Sequence, residues 1–215
     1  MRTLIRIAAC LLALAVLAGC KTAEPYDYTN YRAHRPRSIL VLPPLNESTA
    51  LEGTYGYLST VTFPLAELGY YVFPVAVVDQ MMKENGLPTA GEMHQAPLSK
   101  IAEITGADAV MFVTLQQYGS KYQLINSKTV VQVKAKLMDT RTETVLWEGA
   151  ALAQQDSGGS GNIIADMIAA AIIQAVSSST DTAHGVSRLA NANLFRTKNT
   201  GLLYGPYNPQ YEKAP

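Results

Sequence analysis

Cysteine is almost absent: two in 215 residues, Cys10 and Cys20, beside a single tryptophan and three histidines. Neither charge is in excess. Seventeen basic and seventeen acidic side chains leave no formal net charge, so the chain lacks the basic face that nucleic-acid phosphates call for, and no nucleic-acid partner is expected. No apolar run reaches the roughly 20 residues of a membrane-spanning helix. His34, His94 and His184 stand far apart, without an HExxH spacing or a Cys/His group, so neither a metal nor a cofactor is expected and each histidine reads as an exposed polar residue. What is plentiful is apolar. A 48% hydrophobic fraction rules out wholesale disorder and collagen-like repetition, and the length suits one domain with a real core.

The two cysteines acquire meaning from their surroundings. Arg2 and Arg6 precede the twelve-residue apolar stretch from Ile7 to Ala18, which has the proportions of a secretory signal. It ends in Leu17-Ala18-Gly19-Cys20, which resembles a bacterial lipobox, and the resemblance implies acylation of Cys20 as the first mature residue. Removing residues 1–19 takes Arg2, Arg6 and Cys10 with it and leaves 15 basic against 17 acidic groups, a net charge of −2. A mature chain with one cysteine has no internal disulfide, and a thioether-linked lipid consumes a thiol that would be a liability in an oxidising compartment. Two or three acyl chains, at about 0.8 kcal/mol per buried methylene, anchor stably. Lys21 rather than Asp after the cysteine resembles the sorting pattern of outer-membrane lipoproteins, with the domain facing the periplasm.

Residues 20–37 show no helical or alternating period and are expected to be a tether. Its tyrosines Tyr26, Tyr28 and Tyr31 suit a partner clamp, the lipid headgroup level or docking onto the domain. Ser38 to Leu42, stopped by Pro43-Pro44, reads as a buried strand. Tyr57 to Leu68 reads as a helix carrying Leu58, Val61, Leu65 and Leu68 on one face, kinked at Pro64 and ended by Gly69. A strand Tyr70–Phe73, a helix Val75–Glu84, a loop from Pro88 to Pro97, a helix Leu98–Thr105 and a strand Ala109–Leu115 follow. This strand–helix–strand rhythm implies partly parallel pairing.

From Lys121 the pattern turns to alternation. Lys121–Ile125 and Thr129–Met138 read as strands, the second with Val131, Val133, Ala135 and Leu137 inward and Gln132, Lys134 and Lys136 outward. Asp139 to Glu143 is a turn and Thr144 to Gln154 the return strand, with Trp147 in the core. The expected fold is therefore α+β: a mixed sheet with helices on one face, an antiparallel meander in its second half and C-terminal helices. A single domain should span residues 38–200, followed by a flexible tail at 201–215. Asn162–Val176 reads as an apolar helix, either buried or, through Ile163, Met167, Ala170 and Ile173, a partner or homo-oligomer contact. His184–Phe195 reads as a further amphipathic helix.

Reactive constellations are scarce. The Asp156–Asn162 loop imitates a GxSxG elbow around Ser160, but Asn162 replaces the last glycine, and only Asp181 and His184 follow as partners. A small hydrolase or ligand-binding protein using this loop is the alternative to a helix-capping connection. Glu47, Glu52 and Asp79 could converge as an acidic group, though nothing beyond their presence points to it.

Several segments resemble a family of bacterial lipoproteins of unknown function: Arg35 to Asn46, Ala66 to Val75, the Gly106-Ala107-Asp108-Ala109 entry to a strand, and Leu137 to Trp147. The resemblance covers about residues 35 to 180. It implies a fold similar to the amino-terminal domain of TolB and to CsgG-type periplasmic domains, and relatives of this fold activate peptidoglycan synthases. It brings no catalytic residues. An anchor, a tether and a compact domain without a reactive constellation lead to the expectation of a non-enzymatic binding or assembly module. It would be held at the membrane by the N-terminal lipid and work with envelope proteins in a secretion-related or cell-wall-related multi-lipoprotein complex. At Glu143 relatives often carry glycine.

Overall fold

The computed structural model describes residues 25–122, 127–156 and 182–213. Its elements are α1 (Thr29–His34), β1 (Ser38–Val41), β2 (Leu45–Asn46), α2 (Gly53–Glu67), β3 (Tyr71–Val72), α3 (Val75–Glu84), α4 (Ala90–Gln95), α5 (Leu98–Thr105), β4 (Ala109–Tyr122), β5 (Ser127–Asp139), β6 (Val145–Asp156) and α6 (Thr182–Arg196). The strands form one mixed sheet in the order β3-β1-β4-β5-β6, with β2 also paired to β4. The pairs β1–β3, β1–β4 and β2–β4 are parallel, and the meander β4–β5–β6 is antiparallel.

The continuous apolar run at β1 follows from burial on both faces. Ile39 and Val41 join the larger core with Tyr57, Val61, Leu65, Trp147, Leu189 and Phe195, whereas Leu40 and Leu42 join a second core with Val78, Met82, Met93 and Ile101. Helices thus cover both faces at the parallel end, α2 on one side and α3, α4 and α5 on the other, while α6 packs beside α2 over the meander strands β5 and β6. The expected one-sided arrangement is confined to the meander, where Val131, Val133, Ala135 and Leu137 are buried and Lys134 is exposed.

Two bulges account for the broken alternation in the sequence. Along β4 the pairing steps from Leu115↔Val133 to Gln117↔Gln132, leaving Gln116 unpaired, so one strand runs through the first and into the second of two segments expected as separate strands. A second shift, between Leu137↔Trp147 and Met138↔Val145, lets the successive residues Leu146 and Trp147 both be buried.

Helix α2 begins four residues before the expected Tyr57 and contains Pro64. It closes with paired bonds, Gly69 N to Ala66 O at 2.9 Å and Tyr70 N to Leu65 O at 3.3 Å, a Schellman ending that needs the positive φ of 89° at Gly69. α3 and α5 have the expected bounds. The expected loop from Pro88 to Pro97 contains α4 instead. Its start is a reciprocal capping box, in which Thr89 Oγ1 accepts from Glu92 N at 3.2 Å and Glu92 Oε2 accepts from Thr89 N at 2.9 Å.

At the N-terminal end the docking alternative is the one observed, and at the C-terminal end the expectation of a flexible tail is corrected. Over its described part, from residue 25, the tether is docked: Tyr31 is buried, and Tyr26 and Tyr28 pack against the larger core. The tail is docked as well. Leu202 is buried, Gly205 N donates to Leu68 O at 2.8 Å, and Tyr207 N donates to Gly69 O at 3.0 Å. The physical reason is aromatic area, since the tyrosines bury rings that a solvated tether would leave in water.

Candidate functional site

Much of the polar chemistry in the sequence is spent on structure. The Asp108 carboxylate accepts from the Arg37 and Ser38 amides at 2.9 and 3.1 Å, and Asp108 N donates to Ser38 Oγ at 2.9 Å, which locks β1 to the entry of β4. Thr140 Oγ1 donates to Ala107 O at 2.6 Å. Asp139 is 1% exposed. Burial alone would raise its carboxyl, but the amides of Thr142 and Arg141 and the Thr142 hydroxyl, donating at 2.9, 3.0 and 3.1 Å, outweigh it and hold the group below the ordinary carboxylate value. Between α2 and α6, buried Asn191 accepts from the Tyr57 hydroxyl and donates to Thr60 Oγ1 at 2.9 Å.

A groove of about 910 Å³ lies between the N-terminal arm and the segment following α6. Tyrosine hydroxyls and backbone build it. Tyr26 N donates to Asn199 O at 2.8 Å, the Tyr28 hydroxyl donates to Gly201 O, and the Tyr31 and Tyr70 hydroxyls bond each other while Tyr70 donates to Leu203 O at 2.6 Å. Trp147 Nε1 fixes the same segment through Thr200 O at 2.9 Å. Burial pushes the Tyr28 and Tyr31 phenols up to about 12. Arg32, Arg196 and Lys198 line the groove with Asp27 and Glu67.

A second groove, about 880 Å³, lies on the outer face of the meander beneath α4 and α5. Leu45, Phe112, Met138 and Ala150 supply apolar floor, while Lys134 and Glu148 stand on its rim. Lys136 Nζ lies 5.8 Å from the Phe112 ring centroid, and the His94 ring meets Phe112 edge-on at 5.3 Å. His94 is therefore not the exposed histidine expected: its Nε2 is 2.9 Å from Pro43 O, and burial lowers its pKa. His34 Nε2 lies 3.1 Å from Thr142 Oγ1 and His184 Nδ1 3.4 Å from Ser59 Oγ, both only half-buried. The signal for the second groove was present in the sequence as the alternation of β5, whose polar positions define its wet face.

Cys20, the Asp156–Asn162 loop with Ser160, and the contact residues Ile163, Met167, Ala170 and Ile173 lie outside the described residues, apart from the backbone of Asp156. Asp79 of the suggested acidic group is taken by Lys83 at 2.6 Å, and Lys83 reaches the Tyr55 hydroxyl at 3.2 Å rather than a second carboxylate. Among the described residues no group of three or more His, Cys, Asp or Glu could hold a metal ion, and no helix is long and apolar enough to cross a membrane.

A mixed sheet of this order with helices packed against it defines an α+β domain. The family model described as "Putative lipoprotein GNA1162-like" matches residues 26–207, and the chain belongs to that family. It is 40% identical over 200 residues to "Putative lipoprotein NMB1124/NMB1162" of Neisseria meningitidis serogroup B (strain ATCC BAA-335 / MC58), covering 91% of this chain and 93% of that protein. The crystal structure of lipoprotein GNA1162 from Neisseria meningitidis is similar at 42% identity and a TM-score of 0.57, covering 67% of this chain and 100% of that one. The C-terminal domain of LpoB from Escherichia coli is more distant, at 16% identity and a TM-score of 0.43, covering 57% of this chain and 85% of that one. The lipoprotein family expected from the sequence is thus the one found.

Proposed function

We propose that this lipoprotein is a non-enzymatic binding module of the bacterial cell envelope. It is held on the outer membrane through acylated Cys20, faces the periplasm, and takes an apolar segment of an envelope protein into the meander groove. The observation that carries this reading is the groove itself. Leu45, Phe112 and Met138 offer apolar contact on a sheet face that also carries Lys134 and Glu148, the combination of apolar centre and mixed-charge rim that suits a polypeptide partner. The Leu17–Cys20 leader and Lys21 support the address. A photo-reactive residue placed at Ala150, which is exposed, or at Thr114 tests the reading directly. Crosslinking in intact envelopes is expected to give a discrete, reproducible protein adduct, which Ala150→Arg in a chain labelled at Thr114 would diminish. If neither position yields a protein adduct while far-ultraviolet dichroism shows the fold intact, the groove is not a partner site.

A further inference from the structure

We propose that the groove between the N-terminal arm and the segment after α6 binds the anionic phospholipid headgroups of the membrane that holds the protein, so that the domain docks on the bilayer by this face. The proposal rests on the acylated Cys20 of the reading above and adds a specific contact to it.

Chain length places the groove near the bilayer. Pro25 lines it and stands five residues from Cys20. At 3.3–3.6 Å per extended residue those five span at most about 18 Å. Beyond Pro25 the arm adds no slack, because Tyr26, Tyr28 and Tyr31 are each bonded into the fold. The face closest along the chain to the acyl chains is therefore the face that carries this groove.

Its chemistry fits headgroups. Arg32, Arg196 and Lys198 supply positive charge along the lining, and Arg32 and Lys198 are exposed. Of the two acids of the lining, Glu67 pairs with Arg196 at 3.2 Å, and Asp27, which accepts from Thr29 N at 2.9 Å and Thr29 Oγ1 at 2.6 Å, stays ionised. Three cations against two acids leave the lining one net positive charge. Tyr26, Tyr28 and Tyr204 place amphipathic rings among the cations, the arrangement favoured at the level where headgroup meets water. The lining shares no residue with the meander groove, so a docked domain keeps the second groove available to a partner.

The test uses acylated protein purified from envelopes and placed in nanodiscs of phosphatidylcholine with or without phosphatidylglycerol, read by amide hydrogen exchange. Each Lys or Arg near an anionic surface multiplies the docked population about fivefold. Exchange over residues 26–35 and 196–204 is expected to slow severalfold when phosphatidylglycerol is present, with the amides of α5 unchanged as an internal control. Arg32→Gln with Lys198→Gln should abolish the difference. So should about 1 M salt acting on the unaltered chain, where the screening length falls to about 3 Å. Equal exchange in the two discs by acylated protein would overturn the docking alone, as would a difference that survives both the substitutions and the salt. An intact mass without acyl chains on Cys20 would overturn the anchor and the docking with it.

Discussion

The amide of Glu143 donates to the carbonyl of Asp139 at 3.1 Å, and Glu143 makes that bond from a left-handed backbone, φ 58°. A residue with a Cβ in this region costs about 1–2 kcal/mol, a cost that glycine would not bear. Glu143→Gly should stabilise the protein by about 0.5–1 kcal/mol, the relieved strain less the extra backbone freedom of glycine in the unfolded chain. Thermal unfolding should show a midpoint raised by about 1–4 °C. Glu143→Ala keeps the Cβ and should leave it unchanged, and an equal rise in both variants would refute the backbone account.

Asp139 answers to pH with a definite sign. Its carboxyl is held below the ordinary value despite burial, because three donors converge on Oδ1. A depressed carboxylate contributes stability that is fully present above the unfolded value of 3.8 and is lost as pH falls below it through the folded value. Asp139→Asn keeps an acceptor but not the charge. Urea unfolding at neutral pH should show a loss of about 1–2 kcal/mol, with the gap to the unaltered chain shrinking in strongly acidic buffer. A gap that grows on acidification would contradict the assignment.

The sequence was most legible where a single face or a single punctuation residue decided the outcome. Val75–Glu84 and Leu98–Thr105 are bounded by proline before and by Asn85-Gly86 or Gly106 after, and their bounds match. β5 was legible because one wet face imposes strict alternation. β4 was not, since Gln116 adds a residue to one strand and shifts the alternation beyond it. α4 lies within the stretch from Pro88 to Pro97 expected as a loop, although Thr89 and Glu92 spell a capping box. The docking of the arm was one of several open alternatives and that of the tail was not legible, for a different reason. Their partners lie more than a hundred residues away, as with Tyr28 and Gly201 or Tyr70 and Leu203, and no local period encodes such a contact.

That long-range contact can be cut at one atom. The Tyr70 hydroxyl donates to Leu203 O at 2.6 Å and bonds the Tyr31 hydroxyl, with Tyr70 itself 4% exposed. Tyr70→Phe leaves both partners without their bond in a dry setting and should cost about 1–3 kcal/mol. The loss should be local before it is global. Hydrogen exchange is expected to quicken first over 201–208 and the arm, while the β4–β5 amides keep their protection. Uniform acceleration across the sheet would show that the arm and tail are not a separable clasp.

Gly149 on β6 lies directly against the Trp147 indole. A Cβ there would come within 2.5 Å of Trp147 Cζ2 and 2.7 Å of its Cη2, with Leu194 Cδ1 at 3.1 Å. Trp147 is fully buried, its ring lies 5.8 Å from that of Phe195, and its Nε1 is tied to Thr200 O, so the indole has little freedom to move aside. Gly149→Ala should therefore overpack the β6–α6 interface and cost about 1–3 kcal/mol, against the usual gain in strand propensity from removing a glycine. As Trp147 is the only tryptophan, its fluorescence reports on this site alone. A red-shifted emission with a lowered unfolding midpoint is the expected result. An unchanged spectrum with equal or higher stability would mean that the indole yields, and that the segment carrying Thr200 is held by the tyrosines rather than by Trp147.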